Sequence, residues 1–234
     1  MNDLCSVDLV DVLGSCKTIV NVARVSFDNA TFESYQEAAN LSYPQIGDRD
    51  KRLIRYLWKH RHTTPFRHNY FTFEIQAPIF VLRQWMKHQI GCSWNEASGR
   101  YIKFENKWYR PNQWRMQADN VKQGSGGPFP KDVQEEILEI YDAACKDSFY
   151  RYNQLLEIGL SKEQARMCLP LSLITKAAWT PSLHALLHFL RLRLDLHAQA
   201  EIREFAIEVR RLIRNTKDFA FILDFVLDNG FDFE

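Results

Sequence analysis

Between Arg83 and Tyr101 the chain reads RQWMKHQIGCSWNEASGRY. That stretch crowds Arg83, Lys87, His88, Glu96, Ser98 and Arg100 together with the amides Gln84, Gln89 and Asn95. Cations, amides and a hydroxyl at this spacing suit a phosphorylated ligand, which takes charge-assisted hydrogen bonds from several donors at once. A solvated helix end would also concentrate charge. The neighbouring Trp85, Trp94 and Tyr101 argue against that, because large rings are costly to leave in water and mark a surface that something covers.

A second candidate lies late in the chain. Wrapped at helical spacing, residues 183–201 put His184, His188, Arg191 and Asp195 on one polar face. Arg193 falls nearly opposite, in an arc of Leu186, Phe189, Leu190, Leu196 and Ala200, with His197 beside it. A cation among apolar side chains is expensive unless an anion meets it. That anion is either a ligand or a structural carboxylate such as Glu201. His62 and His68 form a pair that could suggest a metal, but no carboxylate triad sits at ligand spacing, so no metal site is expected.

The elements that must position these residues follow from periodicity and punctuation. Val7–Leu13 and Thr18–Val25 read as strands, with Arg24 and Ser26 at a strand end that could reach a ligand. Residues 28–47 are polar with room for a short helix, and Asp48–His60 reads as a helix burying Leu53, Ile54, Leu57 and Trp58. Thr64 precedes Pro65 and is biased to extended backbone. Tyr70–Gln76 alternates as a half-buried strand. A helix is expected from Pro78 to Ile90, ended by Gly91, with a loop from Cys92 to Tyr101 hung from it.

Phe104–Met116 reads as packed aromatics, although Trp108, Tyr109 and Trp114 could stack on a planar ring. Val121–Pro130 is a flexible surface loop, with glycines but no GK[ST]. Asp132–Ile158 carries a long amphipathic helix, Ser161 looks like the next N-cap, and Ser172–Trp179 is a strand or short helix. One long last helix runs from near Pro181 to Arg214, and Phe219–Phe233 is a packing tail.

Composition bounds the function class. The 234 residues suit one domain, and 30 basic against 29 acidic residues argue against a general nucleic-acid binder. No apolar run of about 18 residues predicts a membrane span, and the first residues do not read as a signal peptide. Five scattered cysteines with no CxxC pair read as reduced thiols in the cytoplasm.

Lys87-His88-Gln89 followed by Ser93-Trp94-Asn95-Glu96-Ala97-Ser98-Gly99-Arg100-Tyr101 resembles the signature of flavin-dependent thymidylate synthases. That signature is usually written Arg-His-Arg, a short spacer, then Ser-x-Asn-Glu-x-Ser-x-Arg-Tyr. The second half matches throughout, while Lys87 and Gln89 stand where the family has arginines, and His188 where it often has asparagine. Arg24-Val25-Ser26, His62 to His68 (His-x-Thr-Pro-Phe-x-His), Ala165-Arg166 ahead of Leu169-Pro170, and Arg193 to Ile202 (Arg-x-Asp-x-His-Ala-Gln-x-Glu-Ile) fit further family segments.

The resemblance implies reductive methylation of dUMP to dTMP, with FAD as cofactor and methylenetetrahydrofolate and NADPH as co-substrates. It implies a cytoplasmic homotetramer with sites at subunit interfaces and no nucleic-acid or membrane partner. The expected fold is α+β, one domain over 1–234 with a mostly antiparallel sheet packed against long helices. By resemblance, dUMP would meet Gln84, Trp85, Met86, Lys87, Glu96, Ala97, Ser98, Gly99, Arg100, Arg166 and Arg193. FAD would meet Thr64, Lys87, His88, Gln89, Glu96, Ser182, Leu183, His184 and His188.

Two routes to C5 methylation of a uracil ring can be compared on these residues. A thiolate added at C6 needs a cysteine of lowered pKa. Cys92 and Cys168 are the candidates near the motifs, and neither has the Pro-Cys-His setting of the classical thymidylate synthase. Ser98 lacks a Gly-x-Ser-x-Gly context and reads as a phosphate donor rather than a nucleophile. The other route needs a permanent cation at N3 and O4 to enrich C5, which suits Arg193, the expected catalytic residue. Two other functions remain open on sequence: a single-stranded nucleic-acid or nucleotide binder using the arginines and aromatic rings as a stacking groove, and a flavoprotein reductase that does not use dUMP.

Overall fold

A computed structural model describes residues 2–26, 46–118, 124–216 and 219–228. Four strands form one antiparallel sheet in the order β1 (Ser6–Leu13), β2 (Tyr70–Pro78), β4 (Ile174–Pro181), β3 (Cys92–Glu96). Strand β2 alternates as its sequence predicts, and its Phe71, Phe73 and Ile75 are buried completely. Phe73 pairs with Trp179 on β4, which pairs in turn with Trp94 on β3. These three rings stack across the sheet at 5.4 and 5.6 Å, the cross-strand contact that fixes register. With its helices the chain is α+β, as expected.

The main core forms where helices cover this face. Ile79–Trp85 is a short helix whose last residue, Trp85, lies flat on Phe189 with ring centroids 4.7 Å apart. Trp85 also meets Trp179, Trp94 and Phe205 edge-on. Phe189 belongs to the helix Leu183–Arg193 and Phe205 to the helix Ala200–Asn215. One indole therefore ties the sheet to both late helices. A second core lies under the long helix Lys131–Glu157, within a residue of the span predicted from its periodicity, where Phe149 and Tyr152 pack with Trp108. The aromatic residues of 104–116 are packing residues. Trp108 tilts against Phe149, Trp114 meets Tyr141 edge-on, and Arg110 forks onto Asp142 at 2.7 and 3.0 Å.

Several sequence expectations are corrected. Thr18–Val25 is not a strand, because Cys16–Val25 is a helix. Ser15 Oγ accepts from Thr18 N while Thr18 Oγ1 accepts from Ser15 N, a capping box with threonine in the usual Glu/Gln place. That cap outweighs the strand preference of the β-branched run. Arg24 consequently stands in the last turn of this helix rather than at a strand end, and pairs with Asp50 at 2.6 Å.

The helix expected over 78–90 ends at Trp85, since the indole must turn inward. Pro78 closes β2 and is also the N-cap of that helix, one residue before its first turn. Residues 92–96 of the expected loop are instead strand β3. The long helix expected from Pro181 to Arg214 is two helices, broken at 194–199. There Asp195 Oδ1 accepts from His197 N at 2.7 Å and its carbonyl accepts from Ala198 N, a side-chain turn that competes with the helix.

Ser172–Trp179, left open between strand and helix, is strand from Ile174. Ser161 stands at the predicted N-cap but makes no side-chain cap bond. Phe219, Ile222, Leu223, Phe225 and Val226 are buried, as expected of the packing tail. The helix expected within 28–47 falls almost wholly outside the described residues, as do 121–123 of the expected loop and 229–233 of the tail. Among the described residues, no helix is long and apolar enough to cross a membrane.

Trp85→Ala should lower stability by about 3–5 kcal/mol, read as a shift in the urea midpoint. An unchanged midpoint would remove Trp85 from the centre of the core.

Candidate active site

The signature segment is held at three points. Trp85 anchors its start. Gly91, at φ +72, turns the chain so that its carbonyl accepts from Ser182 N at 2.7 Å. A Cβ at Gly91 would lie 2.8 Å from Ser182 Oγ, so only glycine fits both the turn and the approach. Strand β3 then pairs with β4 and carries the chain to Ala97, whose N–H donates to Lys176 O at 2.9 Å.

At the near end of β3 the turn 86–91 lays His88 against the helix Leu183–Arg193. Phe189 and Arg193 are one helical turn apart and share a face. The His88 ring stands edge-on to Phe189 at 5.3 Å, and Arg193 Nε donates to His88 Nε2 at 3.0 Å. His188 lies 5.9 Å from His88, ring to ring. That hydrogen bond needs an unprotonated Nε2. Burial first, then the charges of Arg193 and His188, lower His88 to about 4. Burial and nearby Arg191 and Arg193 likewise lower His188, and burial with Arg67 lowers His184. The patch therefore holds imidazoles shifted toward their neutral forms beside the Arg193 guanidinium. Among the described residues no carboxylate pairs with Arg193. Glu201, the structural partner considered for it, pairs with Arg115 at 2.6 Å.

The apolar arc around Arg193 is real as far as Leu186, Phe189 and Leu190, which lie in its own helix. Leu196 and Ala200 are no part of it, because they follow the break, and Leu196 is 83% exposed.

At the far end of β3 a cavity of about 630 Å³ is lined by Glu96, Ala97, Ser98, Gly99, Arg100 and Arg166, with Asn95, Tyr101 and Pro170 among its other walls. Ser98 Oγ accepts from Arg100 N and Nε, both at 3.4 Å. Arg100 covers the Tyr101 ring at 5.1 Å, and Arg166 Nε donates to Glu163 O at 3.3 Å. Among the described residues neither guanidinium forms an ion pair. A Cβ on Gly99 would stand 2.4 Å from the Phe104 ring and 3.0 Å from Arg166 Cδ, so glycine lets the backbone lie close to that arginine. Glu96 sits at the rim, its carboxyl raised by lost hydration against the pull of Thr175 and Arg166.

The structure thus gathers the expected residues into two groups. Glu96, Ala97, Ser98, Gly99, Arg100 and Arg166 share the cavity. His88, His184, His188 and Arg193 share the imidazole patch, with Thr64 in a 3-10 turn and Lys87 and Gln89 exposed on the turn 86–91. Three residues do not fit as side-chain contacts. Trp85 and Leu183 are fully buried in the core, and the Leu183 N–H is taken by Asn69 O. Ser182 is 2% exposed and caps its helix by accepting from Ala185 N. Met86 is partly buried against the core, and Gln84 keeps a buried Oε1 with no partner. Asn95 and Tyr101, singled out in the Arg83–Tyr101 stretch but assigned to neither ligand, line the cavity, and Arg67, beside His184, was not singled out from sequence. Each stands within a quoted motif, which is the signal that could have found them.

A family model described as thymidylate synthase complementing protein matches residues 8–216. The chain belongs to the flavin-dependent thymidylate synthases. It is 38% identical over 213 residues to the flavin-dependent thymidylate synthase of Thermosipho melanesiensis, covering 91% of this chain and 87% of that one. Its identity to the Thermus thermophilus flavin-dependent thymidylate synthase is 40% over 208 residues, 89% of this chain and 71% of the relative. Among solved structures, the UMP/dUMP methylase PolB from Streptomyces cacaoi, bound with 5-Br dUMP, superposes with a TM-score of 0.75 at 32% identity over 90% of each chain. The first half of the flavin-dependent thymidylate synthase signature thus lies at one end of β3, and the second half runs along that strand, five residues or roughly 16 Å, to the cavity at its other end.

His88 gives this site a pH signature. The unfolded chain takes up a proton there near 6.5, the folded chain not until about 4. Folding stability therefore falls as pH drops through that window. The urea midpoint of the wild type should fall further than that of His88→Gln between about pH 7 and about pH 4.5. Equal slopes would mean that His88 titrates alike folded and unfolded.

Proposed function

We propose that this protein converts dUMP to dTMP, taking its one-carbon unit from methylenetetrahydrofolate and its reducing equivalents from NADPH through FAD, as a cytoplasmic homotetramer of one-domain chains spanning 1–234. The observation that carries this reading is the cavity at Ser98–Arg100, where two guanidiniums without carboxylate partners converge beside a glycine that admits close approach. That donor set suits a nucleotide phosphate. Gln84, expected on the nucleotide, does not line this cavity, and its Oε1 is buried without a partner.

The imidazole patch fits an isoalloxazine-bearing cofactor. His88, His184 and His188 are held toward their neutral forms, Lys87 and Gln89 are free to reach phosphate and ring edges, and Thr64 borders the same helix. FAD, when bound, supplies the hydride that reduces the transferred carbon to a methyl group. The chain's own part is to bind, orient and polarise. Arg193, its Nε fixed by His88, keeps its terminal nitrogens for the uracil N3–O4 edge, where a cation draws charge and enriches C5.

Thiolate addition finds less support. Burial raises the Cys92 thiol, and no cysteine lines the cavity among the described residues. Nor is the stacking-groove alternative favoured, since Trp108 and Trp114 are spent on packing.

Arg193 does not line the Arg100–Arg166 cavity of its own chain. A site using all three arginines then needs more than one copy of the chain, which supports the oligomer. Purified protein should carry flavin absorption or acquire it with added FAD, and release tritium from C5-labelled dUMP. A chain that stays colourless with added FAD would overturn the reading. Arg166→Ala should weaken dUMP binding by about 10- to 100-fold, and Arg193→Ala should abolish turnover with the fold intact. Mixed oligomers of the two variants should regain up to roughly a quarter of wild-type activity. No recovery would mean the two arginines do not meet across subunits.

A further inference from the structure

Charge balances over the whole chain but not around the helix Asp48–Lys59. Between Asp48 and His68, seven basic residues stand against Asp48 and Asp50 alone. Asp50 is buried and already paired with Arg24 and Lys17. At about 100° per residue, Arg49, Arg52, Arg55, Tyr56 and Lys59 fall within an arc of about 120°, opposite the buried Ile54, Leu57 and Trp58. All five are exposed. Among the described residues Arg49, Arg52 and Lys59 form no ion pair. Arg55 lies over the rings of Phe221 and Phe225, at 5.0 and 5.8 Å.

This cationic stripe leads out of the imidazole patch. Trp58, one residue before Lys59, meets the His184 ring at 6.2 Å. From Lys59 back to Arg49 the stripe runs roughly 15 Å along the helix. A general polyanion site spreads its cations over a face that meets many phosphates. A single stripe that begins beside a ligand patch suits instead an anionic chain attached to a small molecule docked there. The chain's charge spacing is also constrained. Cations recur along one face about every 5.4 Å, the pitch of the helix. A γ-linked glutamyl chain presents one carboxylate every five backbone bonds, roughly 6 Å when extended. Tyr56, with the His60 ring at 4.3 Å, gives its methylene groups an apolar surface to lie on.

We propose that Arg49, Arg52, Arg55 and Lys59 hold the oligo-γ-glutamyl tail of the folate co-substrate, whose one-carbon end lies at the flavin. The tail site rests on the function proposed above and gives residues to a reactant that had none.

The test compares mono- and pentaglutamyl methylenetetrahydrofolate as substrates of the full-length, FAD-loaded enzyme. The pentaglutamate should show a KM about tenfold lower at equal kcat. That advantage should shrink as salt rises from about 0.02 to about 0.3 M. Arg52→Gln combined with Lys59→Gln should raise the pentaglutamate KM close to the monoglutamate value, with monoglutamate KM and kcat unchanged. Should that variant fold poorly, the salt series on the wild type decides. Equal KM values with dTMP still formed overturn the tail site and leave the proposed function standing. No dTMP from either substrate overturns both. An advantage that resists salt or survives in the folded double variant overturns the assignment to this stripe. So does a single-stranded thymidine oligonucleotide that competes as well as free penta-γ-glutamate.

Discussion

The stacking of Trp85 on Phe189 is the constraint from which the rest follows. Trp85 must turn inward to complete the ring cluster over β4 and β3, and so its helix stops there. The next residues have to leave the helix, and Gly91 brings them back onto the helix cap at Ser182. His88 rides on that short excursion. Because Phe189 lies beneath Trp85 and Arg193 one turn beyond, packing of an indole delivers an imidazole to a guanidinium. The chemistry-bearing residues are exact in place because they are next to residues that have no freedom.

The electrostatics are divided along β3. One end holds imidazoles kept neutral by burial and by a nearby cation, with Arg193 itself at reduced pKa through loss of hydration. The other end holds Arg100 and Arg166 and a carboxyl, Glu96, raised by its surroundings. Among the described residues no carboxylate forms an ion pair with Arg193, Arg100 or Arg166. Elsewhere the chain does pair its charges: Arg24 with Asp50, Arg110 with Asp142, Arg115 with Glu201. The contrast separates cations that hold the fold through ion pairs from cations that form none.

Much of this was legible in the sequence where a single physical signal dominated. The long helix 131–157 and strand β2 showed clean periodicity, and Arg193 stood out because Leu186, Phe189 and Leu190 lie in its own helix. Signals that compete locally were not legible. Thr18 completes a capping box without the expected acid, so the first helix read as a strand. The turn at Asp195 interrupts a helical pattern with neither glycine nor proline, so two helices read as one. Trp85 looked like a ligand residue because motif position says nothing of which way a side chain faces. The division of the site residues between two ends of β3 depends on strand order, which no local pattern encodes.

The break after Arg193 has a consequence for the cation itself. Arg193 stands in the last turn of its helix, where unpaired carbonyls sum to a partial negative charge. A diffuse backbone field can steady a guanidinium without occupying its N–H groups, as a carboxylate would. Had the helix run on to Arg214, that field would lie some 30 Å away, and a half-buried arginine would need an acid of its own.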